Sequence, residues 1–220
     1  MLKREVFLTG DGSSSIRIPE WNEQYHSKHG AIQEAKHVFI EKGLKYKSSN
    51  SNSIHILEIG MGSGLNVLLS ILFAEKNKIH LNYRALEAFP LKEKEWKQMN
   101  FSKEIEGADD IYKKIHLSPW EREVKVSPYF KLFKEEVLFQ SFKPNQKVDL
   151  IYFDAFGPRV QPELWEEEIM KIMYECLNRE GVMVTYSAKG TVRRLLENIG
   201  FKVEKLEGPP GKREMLRAQK

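Results

Sequence analysis

The chain has 220 residues, with 35 lysines and arginines against 31 aspartates and glutamates, a formal charge of +4. That length bounds it to one domain with at most a small extension. Hydrophobic residues at 41% and aromatics at 11% are enough for a packed core, which excludes global disorder. The single cysteine, Cys176, excludes a disulfide scaffold and a cysteine-based zinc cluster. The most apolar stretch, Val67–Ala74, is too short to cross a bilayer, and Met1–Glu5 runs into polar sequence unlike a signal peptide. A soluble, cytoplasmic protein is predicted.

Short strands are expected at Glu5–Thr9 and Ser15–Ile18, around Gly10, Asp11 and Gly12. Ala31, Ile32, Ala35, Val38 and Phe39 have helical spacing, which predicts a helix over His29–Leu44, ended by Gly43 and the polar run Lys47–Ser53. That run is the expected boundary between an N-terminal extension, residues 1–50, and the main domain, residues 51–220. From Ile54 onward strands and helices alternate. Strands are predicted at Ile54–Ile59, Leu81–Leu86, Phe130–Phe133, Val148–Phe153, Gly181–Tyr186 and Phe201–Leu206, with a last edge strand at Glu214–Ala218. Helices are predicted at Leu65–Ala74, near Lys92–Met99, at Pro162–Leu177 and at Thr191–Ile199; Phe101–Ser127 reads as an irregular insertion with a helix of its own. The alternation predicts an α/β fold, a mostly parallel sheet with helices on both faces.

The segment Glu58-Ile-Gly-Met-Gly-Ser-Gly-Leu-Asn66 follows a predicted strand and opens a predicted helix. Gly60, Gly62 and Gly64 allow a sharp turn and close backbone approach to a ligand. The G-x-G-x-x-G spacing of a dinucleotide site fails, because the third glycine is Gly64 and position 65 is Leu. Glu58 would repel a pyrophosphate and favour a cation, which points to S-adenosyl-L-methionine, with its ammonium and sulfonium and no phosphate. Glu87, ending the second strand of the alternating region, is placed to accept both ribose hydroxyls. Glu135 and Glu136, after the third, are candidates for the adenine ring.

Val148–Phe153 delivers Asp154 to the carboxyl end of a strand, where ligands collect in open parallel sheets. A carboxylate there can take a proton from an amine nucleophile. The charge is uneven: Ser187–Lys220 holds nine basic and four acidic residues, an excess of five, so residues 1–186 carry a net −1. Such an end is either a footprint for a polyanion or a solvated surface.

Five motifs in order, the glycine loop, Asp154-Ala-Phe-Gly-Pro158 with Pro162-Glu-Leu-Trp165, Thr185-Tyr-Ser-Ala-Lys-Gly190, Val192-Arg-Arg194 and Gly208-Pro-Pro-Gly-Lys-Arg-Glu-Met215, together with Glu23-Gln-Tyr-His-Ser-Lys-His-Gly-Ala31, resemble the MnmC-type tRNA methyltransferase family. The resemblance implies a Rossmann-like class I methyltransferase with a reversed last strand and an N-terminal extension packing over the site. The activity it implies is methylation of the aminomethyl nitrogen of 5-aminomethyl-2-thiouridine at the tRNA wobble position. It also implies a cofactor set of Glu58, Gly60, Gly62, Gly64, Asn66, Glu87 and Glu136, with Asp154 as catalytic residue. Tyr25, His29, Phe156, Lys189, Arg193, Arg194, Lys212 and Arg213 form the expected substrate set, the basic members tracking tRNA phosphates. In two-domain members the domain is fused to a flavin-dependent oxidoreductase; this chain is expected to stand alone, with a separate enzyme of that kind or other upstream wobble-uridine modification enzymes as partners.

Two rivals remain open: an amine methyltransferase or aminopropyltransferase for small molecules on the same fold, and an RNA-binding module without activity. His26 and His29 have no third partner in a metal-ligand pattern, so no metal is expected. Cys176 is expected in the core.

Overall fold

The computed structural model describes residues 3–49 and 51–220. The first part is a three-stranded antiparallel sheet of β1 (Glu5–Leu8), β2 (Ser14–Ile18) and β3 (Glu23–Gln24). A continuous helix follows: α1 (Ala31–Ala35), a wider π-wound stretch (Lys36–Lys45) and α2 (Tyr46–Ser48). Gly43 does not end this helix as its sequence suggests. It lies inside it, where a Cβ would sit 3.0 Å from a Val184 methyl and 3.4 Å from the Tyr152 ring, so glycine serves close helix–sheet approach.

The main sheet has eight strands: β4 (Ser53–Ile59), β5 (His80–Glu87), β6 (Glu123–Ser127), β7 (Phe130–Glu136), β8 (Val148–Phe153), β9 (Leu177–Thr185), β10 (Lys202–Glu207) and β11 (Glu214–Gln219). Their order is β10-β11-β9-β8-β4-β5-β7-β6. Pairing is parallel from β9 through β8, β4 and β5 to β7, while β11 runs antiparallel to both its neighbours. The last strand is therefore reversed, as expected, but it is not an edge: it lies between β9 and β10. Its mixture of buried Met215, Leu216 and Ala218 with half-exposed polar residues is compatible with either place, so only the pairing decides.

Side-chain alternation divides two cores across the sheet. Ile54 and Ile56 of β4, Leu150 and Tyr152 of β8 and Val182 and Val184 of β9 join α3 (Leu65–Asn77) and the N-terminal helix on one face. Leu57 and Ile59, Ile151 and Phe153, and Met183 join α7 (Glu167–Cys176) and α8 (Gly190–Ile199) on the other, with Cys176 buried among them. Residues on both sides of position 50 thus share one core.

The helix expected over Pro162–Leu177 is divided: Pro162–Trp165 form a 3₁₀ turn, Glu166 is extended, and α7 starts at Glu167. The Trp165 indole N–H donates to the Phe156 carbonyl at 2.8 Å, which anchors the turn to the Asp154 loop. The predicted irregular insertion folds as α5 (Phe101–Glu104), α6 (Asp109–Leu117) and β6, after the short α4 (Glu93–Trp96). No helix among the described residues is long and apolar enough to cross a membrane.

Candidate active site

A cleft of about 1330 Å³ opens over the carboxyl ends of β4, β5, β7 and β8, with Trp21, Tyr25 and His29 of the N-terminal segment in its wall. The glycine loop is wound tightly: Gly60, Gly62 and Gly64 have φ of +90°, +52° and +76°. A Cβ on Gly60 would lie 2.9 Å from the Asp154 carbonyl oxygen and one on Gly62 3.2 Å from the Tyr25 ring. The Gly60 and Met61 amides both donate to the Leu86 carbonyl at 3.0 Å, tying the loop to the end of β5.

Glu87, at that end, accepts the Gly62 amide on Oε2 at 2.8 Å and the Phe89 amide on Oε1 at 2.9 Å. A carboxylate oxygen accepts two hydrogen bonds, so Glu87 keeps capacity for two more donors. Of the two residues ending β7, Glu135 is paired with Arg84 at 2.6 Å, while Glu136 lines the cleft.

Beneath the loop Asn66 bridges two carboxyl groups. Its side-chain amide donates to Glu58 Oε1 and to Asp154 Oδ2, each at 2.9 Å, which uses both its hydrogens. Glu58 is fully buried, so it acts on the cleft through Asn66 rather than by contact. The Tyr83 hydroxyl faces Glu58, yet neither it nor Glu58 Oε2 forms a hydrogen bond of good geometry. Burial raises the Glu58 carboxyl well above the usual carboxylate range, the Asn66 hydrogen bond opposing and the neighbouring Asp154 adding to it. Asp154 opens partly to the cleft. Burial raises it well above its ordinary value too, the Glu34 charge adding to this and Asn66 and Lys212 opposing it.

The loop after β8 is held from both sides, by Trp165 at the Phe156 carbonyl and by the Tyr186 hydroxyl, which donates to the Ala155 carbonyl at 2.9 Å. The Phe156 ring meets Tyr25 edge-to-face at 5.3 Å between centroids and Trp21 at 5.6 Å, an aromatic mouth beside Asp154.

The structure brings Tyr25, His29, Phe156 and Lys212 into the cleft wall with Gly60, Gly62, Asn66, Glu87, Glu136 and Asp154. Lys212 is not free for phosphates: it pairs with buried Glu34 at 2.5 Å and its Nζ lies 4.1 Å from the Tyr186 ring centroid. Lys189, Arg193, Arg194 and Arg213 lie outside this wall, Arg193 at 3.7 Å from Glu197. Gly64 lies outside it too, covered by His116. Among the described residues no group of three or more His, Cys, Asp or Glu is placed to hold a metal.

Sequence reasoning missed Trp21, Tyr186, Arg4 and Glu34 in the wall. Arg4 donates to the Phe89 carbonyl at 2.6 Å and pairs with Glu95 at 3.3 Å, a long-range contact without local signal. Glu34 had one: it is three residues after Ala31 and four before Val38, a charge on the apolar stripe of its helix.

A mostly parallel sheet with a reversed last strand, a glycine loop opening α3 and carboxylates at the strand ends define a cofactor-dependent transferase. The chain belongs to a family of S-adenosyl-L-methionine-dependent methyltransferases, which it matches over residues 100–220. It is 29% identical over 214 residues to the tRNA 5-methylaminomethyl-2-thiouridine biosynthesis bifunctional protein MnmC of Leptospira interrogans, covering 90% of this chain and 32% of that protein. The protein of the same name from Hydrogenovibrio crunogenus is 30% identical, covering 89% and 31%. The chain thus spans about a third of the length of these relatives. Among solved structures, MnmC2 from Aquifex aeolicus matches with a TM-score of 0.81 and 26% identity, over 99% of this chain and 70% of that one. Spermidine synthase from Thermotoga maritima shares the fold, with a TM-score of 0.62 and 13% identity over 100% and 69% of the two chains.

The residues fit S-adenosyl-L-methionine. Acceptor groups flank the glycine loop, Glu87 at the Gly62 amide and Asp154 beside Asn66, which suits the hydroxyl and ammonium donors of that cofactor, and a side chain on Gly60 or Gly62 would narrow the cradle.

Proposed function

We propose that the protein transfers the methyl group of S-adenosyl-L-methionine to the aminomethyl nitrogen of 5-aminomethyl-2-thiouridine at the wobble position of tRNA. The observation that carries this reading is Asp154, a carboxyl of raised proton affinity in the cleft wall beside the Tyr25–Phe156 aromatic pair. The similarity to tRNA-modifying relatives along about 90% of the chain supports it.

An aliphatic amine arrives as an ammonium and attacks only after losing a proton. Asp154 accepts that proton, and the freed lone pair is aligned by the aromatic walls, so orientation and proton removal carry the catalysis. Bound S-adenosyl-L-methionine supplies a methyl group made electrophilic by its sulfonium. Glu87 holds the ribose hydroxyls, Glu136 the adenine side, and Asn66, braced by Glu58, keeps Asp154 aimed at the acceptor. Phe156 and Tyr25 pack on the base turned out of its stack. Lys189, Arg193, Arg194 and Arg213 contact phosphates outside the cleft, and residues 1–50 act as the extension over the site. The aminomethyl group is supplied by a flavin-dependent oxidoreductase activity or by another upstream wobble-uridine modification enzyme.

The test is transfer of tritium from labelled S-adenosyl-L-methionine to tRNA bearing 5-aminomethyl-2-thiouridine. Label in the methylated nucleoside supports the reading, and its absence there ends it.

A further inference from the structure

The insertion between β5 and β7 holds the cofactor loop. The Ser63 carbonyl, between Gly62 and Gly64, accepts two side-chain hydrogen bonds from α6: the Tyr112 hydroxyl at 2.9 Å and His116 Nε2 at 3.1 Å. A carbonyl only accepts, so His116 carries its proton on Nε2. Burial pushes the His116 imidazole down to about 3, which keeps the ring neutral, and the ring stacks on Trp96 at 4.8 Å. From the opposite flank His26 Nε2 meets the Ser63 hydroxyl at 3.3 Å, and its Nδ1 meets the Ser15 hydroxyl at 3.0 Å. Lys134 of β7, almost fully buried, secures the C-terminal turn of α6, where His116 sits, by donating to the Ile115 carbonyl at 2.8 Å and the His116 carbonyl at 3.1 Å.

The loop needs such fixing. Three glycines at positive φ give it more backbone freedom before it is ordered than residues with a Cβ would have. A segment that must order on ligand binding weakens affinity, and one ordered beforehand does not.

We propose that α6 is a preorganising clamp, with Tyr112 and His116 as positioning residues that set the affinity of the glycine loop for S-adenosyl-L-methionine without touching the cofactor or the acceptor. The inference rests on the family's cofactor and not on the tRNA reading.

Calorimetric titration of S-adenosyl-L-methionine into the full chain and its variants tests it. Tyr112→Phe keeps the ring and removes one donor, and His116→Ala removes the other. Each raises Kd about 3- to 10-fold, the range for one lost hydrogen bond. His116→Gln, which restores a donor, recovers much of the loss. Amide exchange at Gly62 and Gly64 speeds up in the weakened variants while exchange in β8 does not. Unchanged affinity in Tyr112→Phe together with unchanged loop exchange overturns the proposal, as does a His116→Gln variant no tighter than His116→Ala. A fall in melting temperature alone, without change in Kd, also overturns it and leaves α6 a packing element.

Discussion

The two sides of the cleft hold their carboxyl groups by different means. On the β5 side Glu87 is gripped by two backbone amides, Gly62 and Phe89. On the β8 side Asp154 is held by a side-chain amide, Asn66, whose other hydrogen goes to a second buried carboxyl, Glu58. Backbone amides fix a charge in place and leave it ready to accept neutral donors, as hydroxyls require. On the β8 side burial outweighs the Asn66 hydrogen bonds, which oppose it, and raises the proton affinity of both carboxyl groups. One side is built to recognise and the other to take up a proton.

The sharpest way to break this contrast is Asp154→Asn, which keeps the shape and removes the base. Turnover should fall about 10³-fold, in the range for loss of a general base, while Kd for S-adenosyl-L-methionine, read by calorimetry, barely moves. A large loss of cofactor affinity instead would place Asp154 on the recognition side. Glu87→Gln is the mirror experiment. It should raise cofactor Kd about tenfold, as expected when a charged acceptor becomes neutral, with kcat at saturating cofactor nearly retained. A kcat effect as large as that of Asp154→Asn would erase the division.

The same contrast has a pH signature. The folded state holds the imidazole of His26 at about 4 and that of His116 at about 3, both below the ordinary 6.5, through burial. Between about 6.5 and 3 the unfolded chain therefore binds protons that the folded chain refuses. The contribution of both rings to stability is full above 6.5 and declines as the pH falls through that window. Melting temperature should drop on acidification from pH 6.5, and His116→Gln should flatten the drop. The smallest effect is expected from charge reversal at Arg193 and Arg194, outside the cleft. It should raise KM for tRNA a few-fold and make the slope of log affinity against log salt shallower, by roughly 0.9 for each phosphate no longer neutralised, without altering cofactor binding.

Much of this molecule is readable from local pattern. Ile54–Ile59 and Val148–Phe153 are legible as strands because each is only six residues long, rich in β-branched or aromatic side chains and closed by glycine or aspartate, which decides against a buried helix. Gly60, Gly62, Glu87 and Asp154 meet in one cleft because strand ends in a parallel sheet meet there. What escaped the sequence was decided at long range. Glu214–Ala218 reads as an edge strand, yet β11 is interior, because it pairs on one flank with β10 and on the other with β9, from which α8 and β10 separate it along the chain. Gly43 reads as a stop and is a point of close packing, because its neighbours are Tyr152 and Val184. Lys212 reads as a surface cation, and only the fold brings Glu34, 178 residues earlier, against it.

The interior position of β11 also governs the order in which the molecule can be assembled during synthesis. β10 reaches the sheet only through β11, so the pairing beyond β9 stays open until residues 214–219 have emerged. Until then β9 presents an unpaired flank to solvent, the kind of edge that recruits foreign strands. A chain halted shortly before Glu214 carries every residue of the cleft wall and still lacks the seam that closes its sheet. Such fragments should be aggregation-prone rather than merely inactive.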